Sequence, residues 1–267
     1  MGAKILHEIK AHLSMMKAYF IINGKTMLEY RKSFILQTGT MFLNDCVWIF
    51  FWWLFFARFP LLNDWTYNDL LLLWAFGATG FGLSGLIFGN KMELASVIAE
   101  GKLDYYLTLP KNILLHTLIS KMNWFAFGDL IFGIIIGILV IPIQMIPLAI
   151  YLVILSTILF TIFGSISGSL ALYIGNSERI SKNVYNAVIG LSIYPTNVYD
   201  GVAKLILFTI IPAGLVTGAP VELIRNFNMN ELIGVTMITL IFVIIAILFF
   251  YRGLKKYESG NQIYVNA

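Results

Sequence analysis

The sequence is poor in charge: 12% of its 267 residues are Asp, Glu, Lys or Arg and 59% are hydrophobic, against roughly 25% charged in an ordinary soluble domain. A water-soluble globule is thereby excluded. Cysteine is nearly missing as well. Cys46 stands alone in an apolar run, so the chain by itself offers no disulfide framework and no cysteine-based metal cluster. His7, His12 and His116 lack the paired spacing on one helix face that zinc peptidase chemistry uses. A phosphate-cradling loop is missing too. The nearest text, Ser96-Val-Ile-Ala-Glu-Gly101-Lys102-Leu103, lacks the first glycine and the terminal hydroxyl of a P-loop. No enzyme signature remains, and any catalysis has to be borrowed from a partner. The opening segment, Met1 to Tyr19, mixes Lys4, Glu8, Lys10 and Lys17 with apolar residues and does not read as a signal peptide.

What the sequence has in quantity is long apolar runs. A bilayer core is crossed by about 20 apolar residues, which converts this length into six spans with modest loops, a single transmembrane domain over 1–267 and an all-α polytopic fold. The predicted spans are 33–57, broken only by Asp45; 70–90, rich in glycine; 123–141 and 148–173, separated by the turn-forming Pro142 to Pro147; 182–198; and 232–251. Segment 199–226 is apolar yet interrupted by Asp200, Lys204, Pro212 and Pro220. It reads as short re-entrant helices on the outer side, tolerated where protein or water covers irregular backbone.

Charge distribution gives an orientation. With the N-terminus cytoplasmic, all of the 18 basic residues except Arg58, Lys204 and Arg225 fall on inner segments, the bias expected from the positive-inside rule. Both termini are then cytoplasmic in a multi-pass cell-membrane protein. The net charge of +4 marks these loops and not a nucleic-acid partner. Residues 1–30 place Ile5, Ile9, Leu13 and Met16 at helical spacing, which predicts an amphipathic helix lying on the inner surface among membrane lipids.

The inner loop 91–110 is amphipathic with mixed charge and predicts a short helix, a break at Gly101, a second short helix and a stop at Pro110. A mere connection between spans needs no such structure, so the loop reads as a docking element. Its residues Ala99-Glu100-Gly101-Lys102-Leu103-Asp104-Tyr105-Tyr106-Leu107-Thr108-Leu109-Pro110 resemble the I-x-x-G-x-L-D-x-x-L-x-x-P loop of ABC-2 type permeases, in the branch of small six-span exporter subunits. Ser192-Ile-Tyr-Pro195 with Ile211-Pro212, and Gly253 to Asn261 at the end of the last span, are similar to the same branch. The resemblance implies an exporter of two permease subunits, homomeric or heteromeric, and a dimer of cytosolic ABC ATPases. ATP and Mg would bind in those ATPases, with no cofactor in this chain. It also implies that 91–110 is a coupling helix carrying Glu93, Glu100, Gly101, Lys102, Leu103, Asp104, Leu107 and Pro110. Within it, Glu100, Lys102 and Asp104 would set the docking register, with Leu103 and Leu107 as apolar anchors.

Charges inside hydrocarbon are costly and face protein or water. Asp45 shares a helix face with Met41, Trp48 and Trp52, and Asp129 lies two turns beyond Lys121, a spacing that allows either structural pairing or a place on a substrate path. Neither serves as a proton relay without a second acid on a neighbouring span. With Tyr194 at the end of the fifth span, Asp45, Trp48, Trp52 and Asp129 form the candidate path for an amphipathic or lipid-linked cargo. Gly85 and Gly89 form a G-x-x-x-G pair that serves packing within the subunit or across a dimer. The alternative to an exporter permease is an ATP-independent transporter or an assembly factor, although the internal repeats and paired ions frequent in secondary transporters are not evident.

Overall fold

A computed structural model describes residues 2–258, with side chains from residue 10 onward. Thirteen α-helices follow one another: α1 (Gly2–Glu29), α2 (Arg31–Arg58), α3 (Tyr67–Ile87), α4 (Leu94–Ala99), α5 (Leu103–Leu107), α6 (Ile113–Ile119), α7 (Ala126–Val140), α8 (Ile146–Ser169), α9 (Ala171–Ile174), α10 (Glu178–Ser192), α11 (Gly201–Thr209), α12 (Ala219–Arg225) and α13 (Met229–Leu254). Among the described residues no strand forms beyond an isolated bridge between Leu62 and Trp65.

Four helical stretches are long and apolar enough to cross a bilayer: α2, α3, the stretch Ile143–Ile174 that includes α8 and α9, and α13. The pair Gly201–Thr209 and Gly214–Arg225 reaches the same length only with a 78° bend at its break. α7 is apolar but has 15 residues, roughly 22 Å of helix, short of the roughly 30 Å hydrocarbon core. The segment 182–198 is not one continuous helix. α10 starts at Glu178 and stops at Ser192, because Pro195 restricts the residue before it and cannot donate into another turn.

α3 is the axis of the bundle, with Leu70 and Phe76 wholly buried. In lipid, apolar side chains gain little by leaving the acyl chains for one another, so helices associate through close packing of small residues. A methyl group added at Gly82 would lie 2.7 Å from the Leu130 backbone nitrogen, and one at Gly85 would lie 2.5 Å from Ala126 Cβ. At Gly89 it would meet the Asn123 backbone nitrogen at 2.5 Å. The Gly85 and Gly89 pair is therefore spent inside the subunit, seating α3 and its extension against the start of α7.

The end of α3 near Thr66 is built by a capping box. Asp69 N–H donates to Thr66 Oγ1 and the Thr66 backbone N–H donates to Asp69 Oδ2, at 3.4 and 2.8 Å, satisfying two otherwise orphaned donors. Arg225 Nε lies 3.3 Å from Asp69 Oδ1, and Trp65 Nε1 donates to Glu222 Oε1 at 3.2 Å, so α12 is latched to this cap. Between α11 and α12 the chain forms a single π-helical turn, Gly214–Gly218. Irregular backbone at this depth needs protein cover. Leu215, Val216 and Thr217 are buried, Ser156 Oγ donates to the Val216 carbonyl at 2.6 Å, and Thr217 Oγ1 donates to the Ser192 carbonyl at 2.9 Å.

α1 runs up to α2 with only Tyr30 between them. Leu13 and Phe20 are exposed along it, while Tyr19 and Asn23 turn towards the α6 region. The side chains of Ile5 and Ile9 lie outside the described residues, as do Gly260 and Asn261 of the tail.

Candidate functional site

The loop after α3 folds as helix, turn, helix. α4 is set into the protein, with Leu94, Ala95 and Ile98 buried against α8 and α9. Gly101 then adopts φ +73°, a left-handed conformation that costs little only without a Cβ, and α5 departs in a new direction. Glu100 and Lys102 form an ion pair across this turn, and the hydrogen bond that Lys102 donates to Glu100 raises the Lys102 pKa. Pro110 follows α5 and helps to close the loop.

The eight residues assigned to coupling are not equivalent. Glu100, Lys102 and Leu107 are exposed, as is Tyr105. Leu103 is 0% exposed, packed in the inner cluster with Leu94, Leu114 and Phe250. It cannot anchor a partner, as the sequence suggested, and instead fixes the loop from within. Asp104 is half-buried beside Tyr257, whose hydroxyl pKa is raised by burial and then by Asp104. The loop and the C-terminal tail, separate motifs in the sequence, thus meet. Glu93 sits at the edge of a cavity described below.

Two adjoining cavities lie between α1, α2, α3, α7, α8 and α10. The inner chamber, about 340 Å³, is walled by Trp48, Trp74, Phe81 and Phe160, and both Asp45 and Asp129 open onto it. α2 and α7 are neighbours, so the two acids come from adjacent helices and face one space. The sequence did not establish this juxtaposition. Asp45 and Asp129 are each nearly fully buried, and among the described residues the Oδ2 of each lacks a hydrogen-bond partner. The expected pairing of Asp129 with Lys121 does not occur. α7 begins only at Ala126, so helical periodicity does not connect positions 121 and 129, and Lys121 borders the other cavity.

Trp52 and Tyr194 do not line the chamber. They pack against each other with ring centroids 6.1 Å apart, one helical turn beyond Trp48, with Trp52 buried and Tyr194 exposed. Trp48 itself stacks obliquely on Trp74 at 6.3 Å. Of the five residues proposed for a path, Asp45, Trp48 and Asp129 share a cavity, and the other two extend their line.

The second cavity, about 550 Å³, is the more polar of the two and shares Met92, Asn123, Phe125 and Asn186 with the chamber. Lys91, Ser181 and Tyr185 border it. None of the three was singled out by sequence, although Ser181 and Tyr185 stand one turn apart on α10, where buried Ser181, Tyr185, Val188 and Ser192 mark a single helix face. Around the rest of the helix Arg179, Lys182, Asn183 and Asn186 are exposed, Lys182 and Asn186 also bordering the cavities.

The chain combines a mostly apolar helical bundle with four stretches able to cross a bilayer, a structured helical loop, and cavities bordered by buried charged side chains. These features define a multi-pass membrane protein. A family model described as ABC-2 family transporter protein matches residues 42–261, and the chain belongs to that family. No curated protein and no solved structure matches the chain. Members of this family are typically non-catalytic membrane subunits that associate with an ABC ATPase.

Proposed function

We propose that this chain is the permease subunit of an ATP-driven exporter in the cell membrane, crossing it six times with both termini in the cytoplasm. In this reading α7 and α10 complete the set of spans as short helices, and the bent pair α11 and α12 is a re-entrant outer segment. Two cytosolic ATPases supply ATP and Mg chemistry, and a second permease, identical or related, completes the assembly. The polar face of α10 supports that last point, since Arg179, Lys182 and Asn183 are costly against lipid tails and call for water or a partner.

The observation that carries the proposal is the folded loop between α3 and α6. Its root, α4 and Leu103, is buried, while its tip presents Glu100, Lys102, Tyr105 and Leu107. A tip held so firmly transmits a displacement where a flexible loop would absorb it. ATP binding acts through differential affinity for inward and outward states, and α3, continuous with the loop at one end and lining the chamber along its length, carries the change to Trp74 and Phe81. An amphipathic or lipid-linked molecule then occupies the chamber beside Asp45, Trp48 and Asp129 and leaves along Trp52 and Tyr194.

The test is co-purification of the full chain with an ATPase encoded beside it, in wild type and with Glu100→Lys plus Leu107→Asp. Retention by wild type and loss by the double variant, with unchanged folding, is the expected result. Transport by the purified chain without any nucleotide-hydrolysing companion would instead establish the ATP-independent alternative.

A further inference from the structure

The more polar cavity is bordered by an unusual cation. Lys91 is 1% exposed, yet its Nζ has no hydrogen-bond partner and no ion pair among the described residues. Its nearest electronic compensation is the rings of Phe81 and Tyr185, whose centroids lie 5.9 and 5.8 Å away. Cation–π attraction is weaker than the cost of stripping water from an ammonium group. The lysine is held there by construction. Its stem lies against Gly164 of α8, where an added methyl group would be 2.7 Å from Lys91 Cδ.

Two further buried groups at the same cavity are without partners: Ser181 Oγ and Tyr185 OH. They stand at i and i+4 on α10, hence on one face, and Tyr185 is the residue whose ring flanks Lys91. An ammonium and two hydroxyls, all desolvated and all able to donate, carried by residues that border one cavity, are complementary to an anion. Of the other charged residues bordering the cavity, Lys182 is paired with Glu178, which leaves Lys121 and the acid Glu93. The adjoining chamber has no cationic side chain, and apart from its two acids, Asp45 and Asp129, its walls are mostly apolar.

From this arrangement we infer that Lys91, Tyr185 and Ser181 form a receptor for a phosphoryl anion, the head of an amphiphile whose apolar portion enters the chamber at Trp48 and Trp74. The inference rests on the reading of the chamber as the cargo path, and it narrows the cargo to one with a phosphate head. The same chemistry would accept free phosphate, and the experiment separates the two sources.

The full chain, reconstituted in nanodiscs of zwitterionic lipid, is titrated with dodecyl phosphate, inorganic phosphate and dodecyltrimethylammonium while tryptophan fluorescence is followed. Saturable quenching by dodecyl phosphate is expected, weakened about tenfold or more in Lys91→Met and by a smaller factor in Tyr185→Phe and Ser181→Ala, as loss of charge-assisted and neutral hydrogen bonds implies. Circular dichroism and gel filtration confirm folding, and the two mild variants keep the test decisive if Lys91→Met does not fold. Weak binding of inorganic phosphate identifies a lipid-like headgroup; binding as tight as that of dodecyl phosphate identifies the free anion. Equal response to the cationic amphiphile, or unchanged affinity in all three variants, overturns the site. No ATPase takes part in the measurement, so failure here leaves the exporter reading standing, and failure of ATPase co-purification leaves the anion site standing.

Discussion

The Tyr19 hydroxyl lies 2.7 Å from His116 Nε2, joining residues 97 positions apart. The bond ties α1 to α6, the helix that follows the docking loop, and Asn23 reinforces it by donating to the Ser120 carbonyl at 3.4 Å and accepting from Met122 N–H at 3.3 Å. The amino-terminal helix is therefore fastened to the same unit that carries the loop. Tyr106 adds a ring edge to His116 at 5.1 Å.

This fastening gives a pH dependence with a definite sign. Burial, then Lys111 and His12, lower the His116 pKa from its ordinary 6.5. The native state thus binds this proton less readily than the unfolded chain, so its contribution to stability is complete above about pH 6.5 and declines as pH falls below it towards the lower folded value. Thermal unfolding of the wild type is expected to show that decline, and His116→Gln, which cannot titrate, a flatter profile. Identical profiles would contradict the assignment.

The glycine seam of α3 predicts asymmetric responses to one added methyl group. Gly82→Ala forces Cβ against the Leu130 backbone and is expected to cost about 1–3 kcal/mol, the range for overpacking. Gly39→Ala on α2 has open space around it and is expected to be neutral or slightly stabilising through helix propensity. Denaturation of both variants in the same detergent reads the difference.

Within the loop, stability and coupling separate by residue. Leu103→Ala empties a fully buried position and is expected to destabilise by about 2–5 kcal/mol, visible in unfolding of the chain alone. Gly101→Ala places a Cβ at φ +73° and is expected to cost about 1–2 kcal/mol. Glu100→Lys leaves the unfolding transition in place and reverses one charge at the exposed tip, so its effect is expected only in ATPase association.

Arg225 and Lys182 both form ion pairs, and burial decides their worth. Arg225 reaches nearly buried Asp69, Glu222 and the Asp64 carbonyl, so Arg225→Ala is expected to cost about 1.5–3 kcal/mol, the scale of hydrogen bonds to charged groups. Lys182 meets Glu178 at 2.6 Å on an exposed helix face, where such pairs give about 0.3–0.5 kcal/mol. Unfolding of Arg225→Ala and Lys182→Ala should rank them in that order.

The primary structure by itself determined the class of this protein and the local form of its loop. Low charge, long apolar runs and the G-x-L-D-x-x-L-x-x-P spacing are properties of neighbouring residues, and the break at Gly101 between two short helices follows from the same local chemistry. The cavities were decided only by tertiary structure. Asp45 and Asp129 stand 84 positions apart, and only the packing of α2 against α7 brings them to one space, while Leu103 looks like an anchor until the fold buries it. Lys91 reads as an ordinary inner-loop lysine because nothing adjacent to it in the chain reveals that Gly164 leaves room for its stem. Which polar groups lose water, and which find partners, depends on residues distant in the chain, so desolvation could not be read before the helices were packed.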